Sequence, residues 1–439
     1  MNLPQVMDYN SLVNFVDDIR ARCRDDRAIA VLSINDSRWY GERGLQRTIA
    51  VRGAIVDGAS RGQDQIFVVP QKGLVVAIYT AMKELQNTAL VAYKALRTLD
   101  LLTAQDPTQP IPMGIAAYSP KTTPKKVNIL DHSLRALQEA TTTGQRFVVY
   151  GEDGVSSSPN DISYLIRAAQ HLYHALQGKQ SDFLVHYQPK KDLNSEQIRG
   201  NEALARLTLD GKPVRPDIFI RLAERLGMIR NLTERVVYLA CTQTRQWNEE
   251  GQRFSVAVNI SPYDLPDHHL IARIGAMVDE TGFSRNGVNL EITEGKCDGL
   301  TNEQIALQSR RALRAGFHVS LDDAFTDSQG LERFDNVIFG ELKLDYKLMN
   351  RVAEGMIHPK TSKAVRLAER IAQMTRELPR VRRKRRIITG EGVPNKAMRF
   401  VYERGICDLV QSWDVSRPLP PEEYVRFIHD NPHNFSLRE

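Results

Sequence analysis

Oxygen-bearing side chains recur at the ends of short apolar segments in the second half of the chain, and together they could bind divalent cations. The set comprises Glu202, Asn259, Glu291, Asp322, Asp323 and Glu391. Carboxylates brought close together cannot all stay ionised unless a cation neutralises them. A ligand set made only of oxygen atoms favours hard cations such as Mg²⁺, Mn²⁺ or Ca²⁺ over zinc.

The adjacent Asp322 and Asp323 indicate two metal ions that share a ligand. Two metals about 3.5–4 Å apart form a clamp for in-line displacement at phosphorus, in which one activates water and the other stabilises the leaving oxygen. Lys343 stands alone among these acids and would orient the water or offset charge on a phosphoryl group. Any one of these residues could be a solvated strand end or a helix cap. Their joint occurrence favours a metal-dependent phosphoryl site.

The segments that carry these residues alternate with amphipathic helical stretches, and this alternation predicts an α/β fold. The predicted strands are 183–189, 200–207, 254–261, 287–293, 317–323, 340–345, 386–392 and 409–413. Eight strands interleaved with helices indicate a TIM-type (βα)8 barrel, and a doubly wound open sheet is the alternative that periodicity alone does not exclude. Polar residues at the strand ends favour the barrel, because barrel active sites form at the C-terminal ends of the strands.

Length and composition predict a two-domain protein of the reducing cytoplasm. A helical stretch from 161 to 176 is followed by the polar segment QGKQSD, which places the predicted domains at residues 1–178 and 183–435 of the 439. The net charge of +6 suits an anionic ligand. Four scattered cysteines without a CxxC pair argue against a disulfide framework, and the absence of a long uncharged apolar stretch predicts no membrane span.

The segment from residue 183 onward resembles the EAL domain of cyclic di-GMP phosphodiesterases along essentially its whole length. The signature tripeptide is Glu202-Ala203-Leu204. It is followed, in the family's order, by VAVNIS, LEITE, SLDDA, LKLD, GEGV and Gln411. Each motif is weak alone, but seven in the right order at the right spacing are specific.

The resemblance implies an enzyme that hydrolyses one phosphodiester bond of cyclic di-GMP to give linear pGpG. It implies catalytic roles for Glu202, Lys343 and Glu391. It implies a two-metal site for Mg²⁺ or Mn²⁺ with the ligands Glu202, Asn259, Glu291, Asp322, Asp323 and Glu391. It also implies contacts to the dinucleotide from Gln188, Arg206 and Gln411. Arg206 suits a phosphate because its guanidinium can bond bidentately.

Two departures from the family pattern support an alternative function. The loop after the double aspartate reads DDAFTDSQGL over residues 322–331, where the family has DDFGTGYSSL, so its turn-forming glycines are lost. Pro394 and Ser412 replace two further family residues. The resemblance ties this loop to metal occupancy and to the dimer contact of EAL barrels. The alternative is therefore a catalytically inactive cyclic di-GMP receptor or a protein-interaction module, and a homodimer stays open.

Residues 1–178 resemble a degenerate GGDEF domain, which implies an α+β fold. The segments 28–36, 112–118 and 145–151 are predicted as strands, and 62–69 is predicted as a turn followed by a strand. Gly62-Gln63-Asp64-Gln65-Ile66 takes the place of the GGDEF signature. Gln63 blocks the close approach of backbone to nucleotide phosphates, and Gln65 replaces an acid that would help bind metal. We therefore predict no diguanylate cyclase activity, and a regulatory or dimerising role stands beside a purely structural one.

The densest charge run covers residues 380–386, RVRRKRR. It precedes the predicted strand at 386–392, so it should lie at the barrel's N-terminal face, away from the substrate. A run of this kind is most often a solvated loop, and here it could also bind an acidic protein partner. Binding of a nucleic-acid polymer is the less favoured alternative.

Overall fold

The computed structural model describes residues 5–23, 28–35, 65–69, 73–82, 87–103, 111–119, 128–150, 161–178, 182–292, 300–322 and 330–430. The chain divides into two compact units, Met1–Tyr173 and His174–Glu439. The predicted domain limits, 1–178 and 183–435, remain predictions. No helix of the described residues is long and apolar enough to cross a membrane.

The first unit is an α+β domain built on a mixed sheet. Its strands are β1 (Gln5–Val6), β2 (Ala28–Asn35), β3 (Gln65–Val69), β4 (Leu74–Met82), β5 (Met113–Tyr118) and β6 (Phe147–Val149). They are ordered β1-β3-β4-β2-β5-β6, with β2 antiparallel to both of its neighbours. The predicted α+β class is confirmed for this unit.

Four described helices lie in this part of the chain or at its end, and two of them contribute to the buried core of the sheet. They are α1 (Tyr9–Ala21), α2 (Asn87–Thr103), α3 (Ile129–Thr143) and α4 (Ile162–Leu176). Leu12 of α1 and Leu130 of α3 share one buried cluster with Val31 and Phe67 of the sheet. Helix α3 lies very close to β5, since a Cβ at Gly114 would stand 2.1 Å from the Ser133 carbonyl oxygen. Only glycine permits that approach.

The second unit is a closed eight-stranded barrel, as predicted. Its strands are β7 (Phe183–Asp192), β8 (Ile198–Leu209), β10 (Ser255–Ile260), β11 (Val288–Ile292), β12 (His318–Leu321), β13 (Glu341–Leu344), β14 (Ile387–Glu391) and β15 (Leu409–Gln411). Each pairs with the next around the ring, and β8 closes it by pairing with β10. A further strand, β9 (Lys212–Val214), pairs with β8 outside the ring.

Helices connect most of these strands on the outside of the barrel. They are α5 (Pro216–Arg225), α6 (Ile229–Glu249), α7 (Leu270–Thr281), α8 (Asn302–Arg314), α9 (Gly330–Asn336), α10 (Tyr346–Gly355), α11 (Lys363–Glu377), α12 (Asn395–Glu403) and α13 (Pro421–Asp430). Their buried residues recur at helical spacing, for example Ala364, Ala368 and Ala372 of α11. This pattern packs one apolar stripe of each helix against the strands.

One strand departs from the (βα)8 pattern, because β7 runs antiparallel to both β8 and β15. A short turn joins β7 to β8, so no crossover helix covers the outer face of β7. Aromatic side chains cover it instead. Tyr187 lies edge-on to Trp247 of α6 at 4.8 Å between ring centroids, and Tyr424 of α13 stacks on Trp247 at 4.8 Å.

Candidate active site

Four carboxylates converge inside the C-terminal mouth of the barrel, at graded depth. The side chain of Glu291 is 0% exposed, that of Asp322 is 13% exposed and that of Glu391 is 25% exposed. Glu202 is buried as well. Parallel pairing puts Asn259 beside Glu291 and Glu391 beside Gln411, which aligns these side chains on one inner surface. These side chains therefore converge in the barrel mouth, as their positions on the predicted strands indicated.

Lys343 is the centre of this cluster. Its Nζ atom lies 2.7 Å from Glu391, 2.8 Å from Glu291, 3.3 Å from Asp322 and 3.4 Å from Glu202. Its side chain is 1% exposed. Burial alone would lower the pKa of Lys343, but the four carboxylates raise it well above its usual range. Lys343 is therefore a fixed cation at neutral pH.

Glu202 accepts hydrogen bonds from two amide groups, one on β10 and one on β15. Asn259 Nδ2 donates to Glu202 Oε1 at 2.6 Å, and Gln411 Nε2 donates to Glu202 Oε2 at 2.6 Å. Gln411 Nε2 also donates to Gln188 Oε1 at 3.0 Å. Glu202 lies in the first half of β8 rather than at its end. The pairing of β8 with β10 stops one residue later, and the rest of β8 pairs with β7 and β9.

Arg206, predicted to bind phosphate, lies four residues farther along the same face of β8 as Glu202. Its Nη1 atom donates to the Ala205 carbonyl at 2.8 Å, and burial lowers its pKa. Asp323 and the altered loop from 324 to 329 lie outside the described residues. The role predicted for Asp323 therefore remains a prediction.

The sequence analysis missed a second buried charge pair beneath the cluster. Lys190 Nζ lies 2.6 Å from Glu291 Oε1 and 3.1 Å from Glu341 Oε1. Glu341 also accepts hydrogen bonds from Ser320, Asn289 and Thr389. Glu291 is thus held between two lysines, one on each side.

The acids of the mouth differ in how easily they ionise. Burial alone would raise the pKa of Glu202, but Lys343, Lys190 and the two amide donors lower it below its usual value. Burial raises the pKa of Asp322 well above its usual range despite Lys343, because Glu391, Glu291 and Glu202 add to the effect. Burial and Glu202 likewise raise the pKa of Glu291. The mouth holds more negative charge than its lysine offsets.

The donor set fits hard divalent cations. Four carboxylates surround Lys343, which leaves three uncompensated charges when all are ionised, and adding the pair Lys190 and Glu341 does not change that difference. Asp322 Oδ1 is buried, and its contact with Lys343 Nζ at 3.3 Å is an ion pair without hydrogen-bond geometry. Within the described ranges, no group of three His, Cys, Asp or Glu side chains is spaced to hold a metal ion. The Lys343 ammonium stands between the carboxylates, so ligation would require it to move aside.

The closed barrel carries an acidic mouth centred on Lys343, and comparison with known proteins gives the family of this part of the chain. Residues 169–380 match the EAL domain family. This part of the chain is therefore an EAL domain, with cyclic di-GMP phosphodiesterases among its homologues.

Individual relatives agree with this assignment. The signaling protein YkoW of Bacillus subtilis (strain 168) is 31% identical over 57% of this chain and 30% of its own length. The bifunctional diguanylate cyclase/cyclic di-GMP phosphodiesterase MucR of Pseudomonas aeruginosa is 24% identical over 93% of this chain and 58% of its own length. The chain thus spans only part of both curated relatives. The structure of the PaMucR phosphodiesterase in complex with c-di-GMP matches 58% of this chain and 99% of its own, with 25% identity and a TM-score of 0.51.

Proposed function

We propose that the barrel hydrolyses cyclic di-GMP to linear pGpG in a metal-dependent reaction. The observation that carries this proposal is the convergence of Glu202, Glu291, Asp322 and Glu391 on Lys343 inside the barrel mouth. EAL domains are generally metal-dependent. The metal ligands would be these four carboxylates with Asn259 and Asp323. To act as a ligand, Asn259 would have to turn its amide, because its nitrogen now donates to Glu202 and only the carbonyl oxygen can bind a metal.

Bound Mg²⁺ or Mn²⁺ would supply Lewis-acid chemistry at the phosphoryl oxygens and lower the pKa of a bound water. The chain's own residues prepare that reaction. Lys343 keeps its proton, so its ammonium can donate to a water molecule and hold its orientation. Gln188 and Gln411 offer amide groups at the rim, and Arg206 can take a phosphate oxygen pair farther along β8. The buried floor excludes bulk water from Glu291.

The decisive experiment is a turnover assay on the whole chain. Purified protein is incubated with cyclic di-GMP and Mg²⁺ or Mn²⁺, and the nucleotides are separated by chromatography. Glu202→Gln removes the charge and keeps the shape, and Glu354→Gln makes the same change on an exposed glutamate of α10. Product from the wild type and from Glu354→Gln, with none from Glu202→Gln, supports the proposal.

The altered loop supports a second candidate, a receptor that binds cyclic di-GMP without cleaving it. Moving a ligand set by about 1 Å can cost roughly 100-fold in rate. The sequence of residues 324–330 departs from the family in the loop that the resemblance ties to metal occupancy. Tight binding without product in the same assay would identify the receptor. Neither binding nor product would reject both candidates and leave a protein-interaction role.

For the first unit we propose a degenerate GGDEF-like domain without cyclase activity. Its α+β sheet fits such a domain, and the match to MucR extends over 93% of the chain. The signature positions Gly62, Gln63 and Asp64 lie outside the described residues, whereas Gln65 begins β3. An amide at this position cannot supply the charge that a metal ligand would.

A further inference from the structure

A second cavity opens at the end of the barrel opposite the active site. It encloses about 450 Å³ and is bordered by the first residues of several strands, among them Ser255, His318, Glu341, Ile387 and Leu409. We call it the lower cavity. Small-molecule sites typically occupy about 300–1,000 Å³, so this volume suits a ligand of mononucleotide size.

Positive charge exceeds negative charge around the lower cavity. Four cationic side chains line it, namely Lys190, Arg199, Lys384 and Arg385, against the carboxylates of Asp192 and Glu341. Arg199 pairs with Asp192 at 3.2 Å, and Lys190 pairs with Glu341 at 3.1 Å. Arg385 pairs with Asp408 at 2.7 Å beyond the lining. Lys384 has no ion pair in the part of the chain that the structure describes.

The positive charge near the lower cavity affects the pKa of His318. Burial lowers the pKa of His318, and Lys384 and Arg382 lower it further. The imidazole is therefore neutral at physiological pH and adds a hydrogen-bonding group without adding charge.

A rigid hairpin presents Lys384 at the rim. Val381 and Lys384 exchange two backbone hydrogen bonds of 3.1 and 2.9 Å around a two-residue turn. Both turn residues are left-handed, with φ of 51° at Arg382 and 66° at Arg383. Turns of this shape prefer Asn-Gly, because a side chain on a left-handed residue is strained. Strain of this kind persists only where the surrounding structure fixes it.

Arg382 supplies that fixation. Its guanidinium donates to the Leu313 carbonyl at 2.7 Å and to the Gly316 carbonyl at 2.9 Å, at the C-terminal end of α8. Arg386 likewise donates to the carbonyls of Phe339 and Pro379. Two arginines of the basic run are thus bound to the protein itself. The run therefore does not form the continuous basic track that a nucleic-acid polymer would need.

We propose that the lower cavity is a second ligand site that binds a phosphate monoester of mononucleotide size, with the phosphate at Lys384 and Arg385. Lys384 provides a charge-assisted donor for a phosphate, and Arg385 would share its guanidinium, which has five N–H donors, between Asp408 and the phosphate. The apolar side chains of Val381, Ile387 and Leu409 would cover the rest of the ligand. The proposal does not depend on the proposed catalytic function.

The test is a calorimetric titration of the full chain with GMP as the probe, in EDTA. Lys384→Glu reverses the charge at the rim, and we expect it to weaken GMP binding at least tenfold. Lys360→Glu is the matched control, because Lys360 is an exposed lysine that does not line the cavity. Arg206→Ala tests the catalytic mouth. We expect Lys360→Glu to bind GMP as the wild type does, whereas loss of GMP binding in Arg206→Ala would place the ligand in the mouth.

Two further probes test the chemistry. Inorganic phosphate should compete with GMP, and guanosine should bind at least tenfold more weakly. Absence of GMP binding, equal affinity in Lys384→Glu, loss of binding in Arg206→Ala, or guanosine binding as tightly as GMP would each overturn the proposal. Lys384→Gln, which removes the charge without reversing it, should give an intermediate loss if Lys384→Glu proves unstable, and wild-type affinity in that variant would also overturn it.

Discussion

Asp322 and Glu341 are both buried acids of the barrel interior, yet their surroundings act on them in opposite directions. Glu341 accepts from Lys190, Ser320 and Thr389, which outweigh burial and lower its pKa to about 2. Asp322 faces other carboxylates and shares a single lysine with them, so its pKa is raised. Ionisation of Glu341 therefore stabilises the folded state, whereas ionisation of Asp322 destabilises it.

Glu341→Gln should therefore destabilise the barrel in a pH-dependent way. The pKa of Glu341 falls from an ordinary value of 4.5 to about 2 on folding, so its stabilisation is complete above pH 4.5 and is lost as pH falls towards 2. A shift of this size corresponds to about 3 kcal/mol. Urea denaturation should show that loss at pH 7 and a much smaller difference near pH 2.5. An equal difference at both pH values would contradict this reading of Glu341.

Asp322→Asn should have the opposite effect when no divalent cation is present. A carboxyl whose folded pKa is raised binds its proton more tightly in the folded state, so stability falls as pH rises through that pKa. The amide removes this penalty. We expect the variant to be more stable than the wild type at pH 8 in EDTA, on the order of 1 kcal/mol, and the gain to vanish near pH 4.

Divalent cations provide the control for Asp322→Asn. Under the proposed function Mn²⁺ would bind the folded wild type and raise its melting temperature, whereas the variant would lack one of the proposed ligands and should respond weakly. A variant that is less stable than the wild type in EDTA at pH 8 would show that Asp322 is not under electrostatic stress.

Most residues of the mouth could be predicted from the sequence, because a polar residue at the end of an apolar strand is conspicuous. The polar residues beneath the mouth were not predicted, although their spacing along the strands could have indicated them. Lys190, Asn289, Ser320, Glu341 and Thr389 each lie two residues from a site residue on the same strand. Strand side chains alternate between faces, so such positions share the interior. On β7 the offset runs the other way, since that strand is antiparallel.

At the scale of elements, the packing of α3 on β5 decides the integrity of the first unit. Gly114→Ala would place a methyl group 2.1 Å from the Ser133 carbonyl oxygen and 2.3 Å from the Leu137 nitrogen, so the helix must move. Overpacking of this kind costs about 1–3 kcal/mol or more. Hydrogen exchange should accelerate in Ile129–Thr143 and Met113–Tyr118 while the barrel strands keep their protection.

Gly340→Ala is the matched control for that change. The nearest atom to a Cβ at Gly340 is the Val319 carbonyl oxygen at 3.8 Å, so a methyl group fits. Unchanged exchange in α3 of Gly114→Ala would show that the close approach of helix and strand is not needed.

Strand identity was easier to predict than strand direction. In the first unit, β2, β3, β5 and β6 were predicted, whereas two strands were missed: β1, which has two residues, and β4, which is an apolar run without alternation. The direction of β7 had a readable signal, because parallel neighbours need a crossover of about a dozen residues or more. Only residues 193–197 separate β7 from β8. A connection that short permits a hairpin alone.

At the scale of the whole chain, the two units should differ in activity towards nucleotides. We expect no cyclic dinucleotide from GTP and Mg²⁺, because Gln65 cannot supply the charge of a metal-binding acid. The assay is best done on Glu202→Gln, so that the barrel cannot remove a product, with an active diguanylate cyclase as the positive control. Detectable cyclic di-GMP from the variant would overturn the assignment of the first unit.

The barrel fold was predictable from the order of motifs, whereas the geometry of metal binding was not. The sequence places Asp323 and the loop after it, but a linear chain does not give their distance from Glu391. The relative positions of side chains on neighbouring strands are fixed by the pairing of the strands, as for Glu391 beside Gln411. Loop residues have no such register.

The interior of the barrel is filled along its axis by charged side chains, from Lys343 and Glu291 near the mouth to Lys190 and Glu341 below. Unfolding would hydrate these groups, and exposure of polar surface lowers the heat capacity, whereas exposure of hydrocarbon raises it. A barrel with this interior should have a smaller heat-capacity increment per residue than one filled with Val, Ile and Leu. Its free energy of unfolding should then change more gently with temperature, so the fold would persist further into the cold.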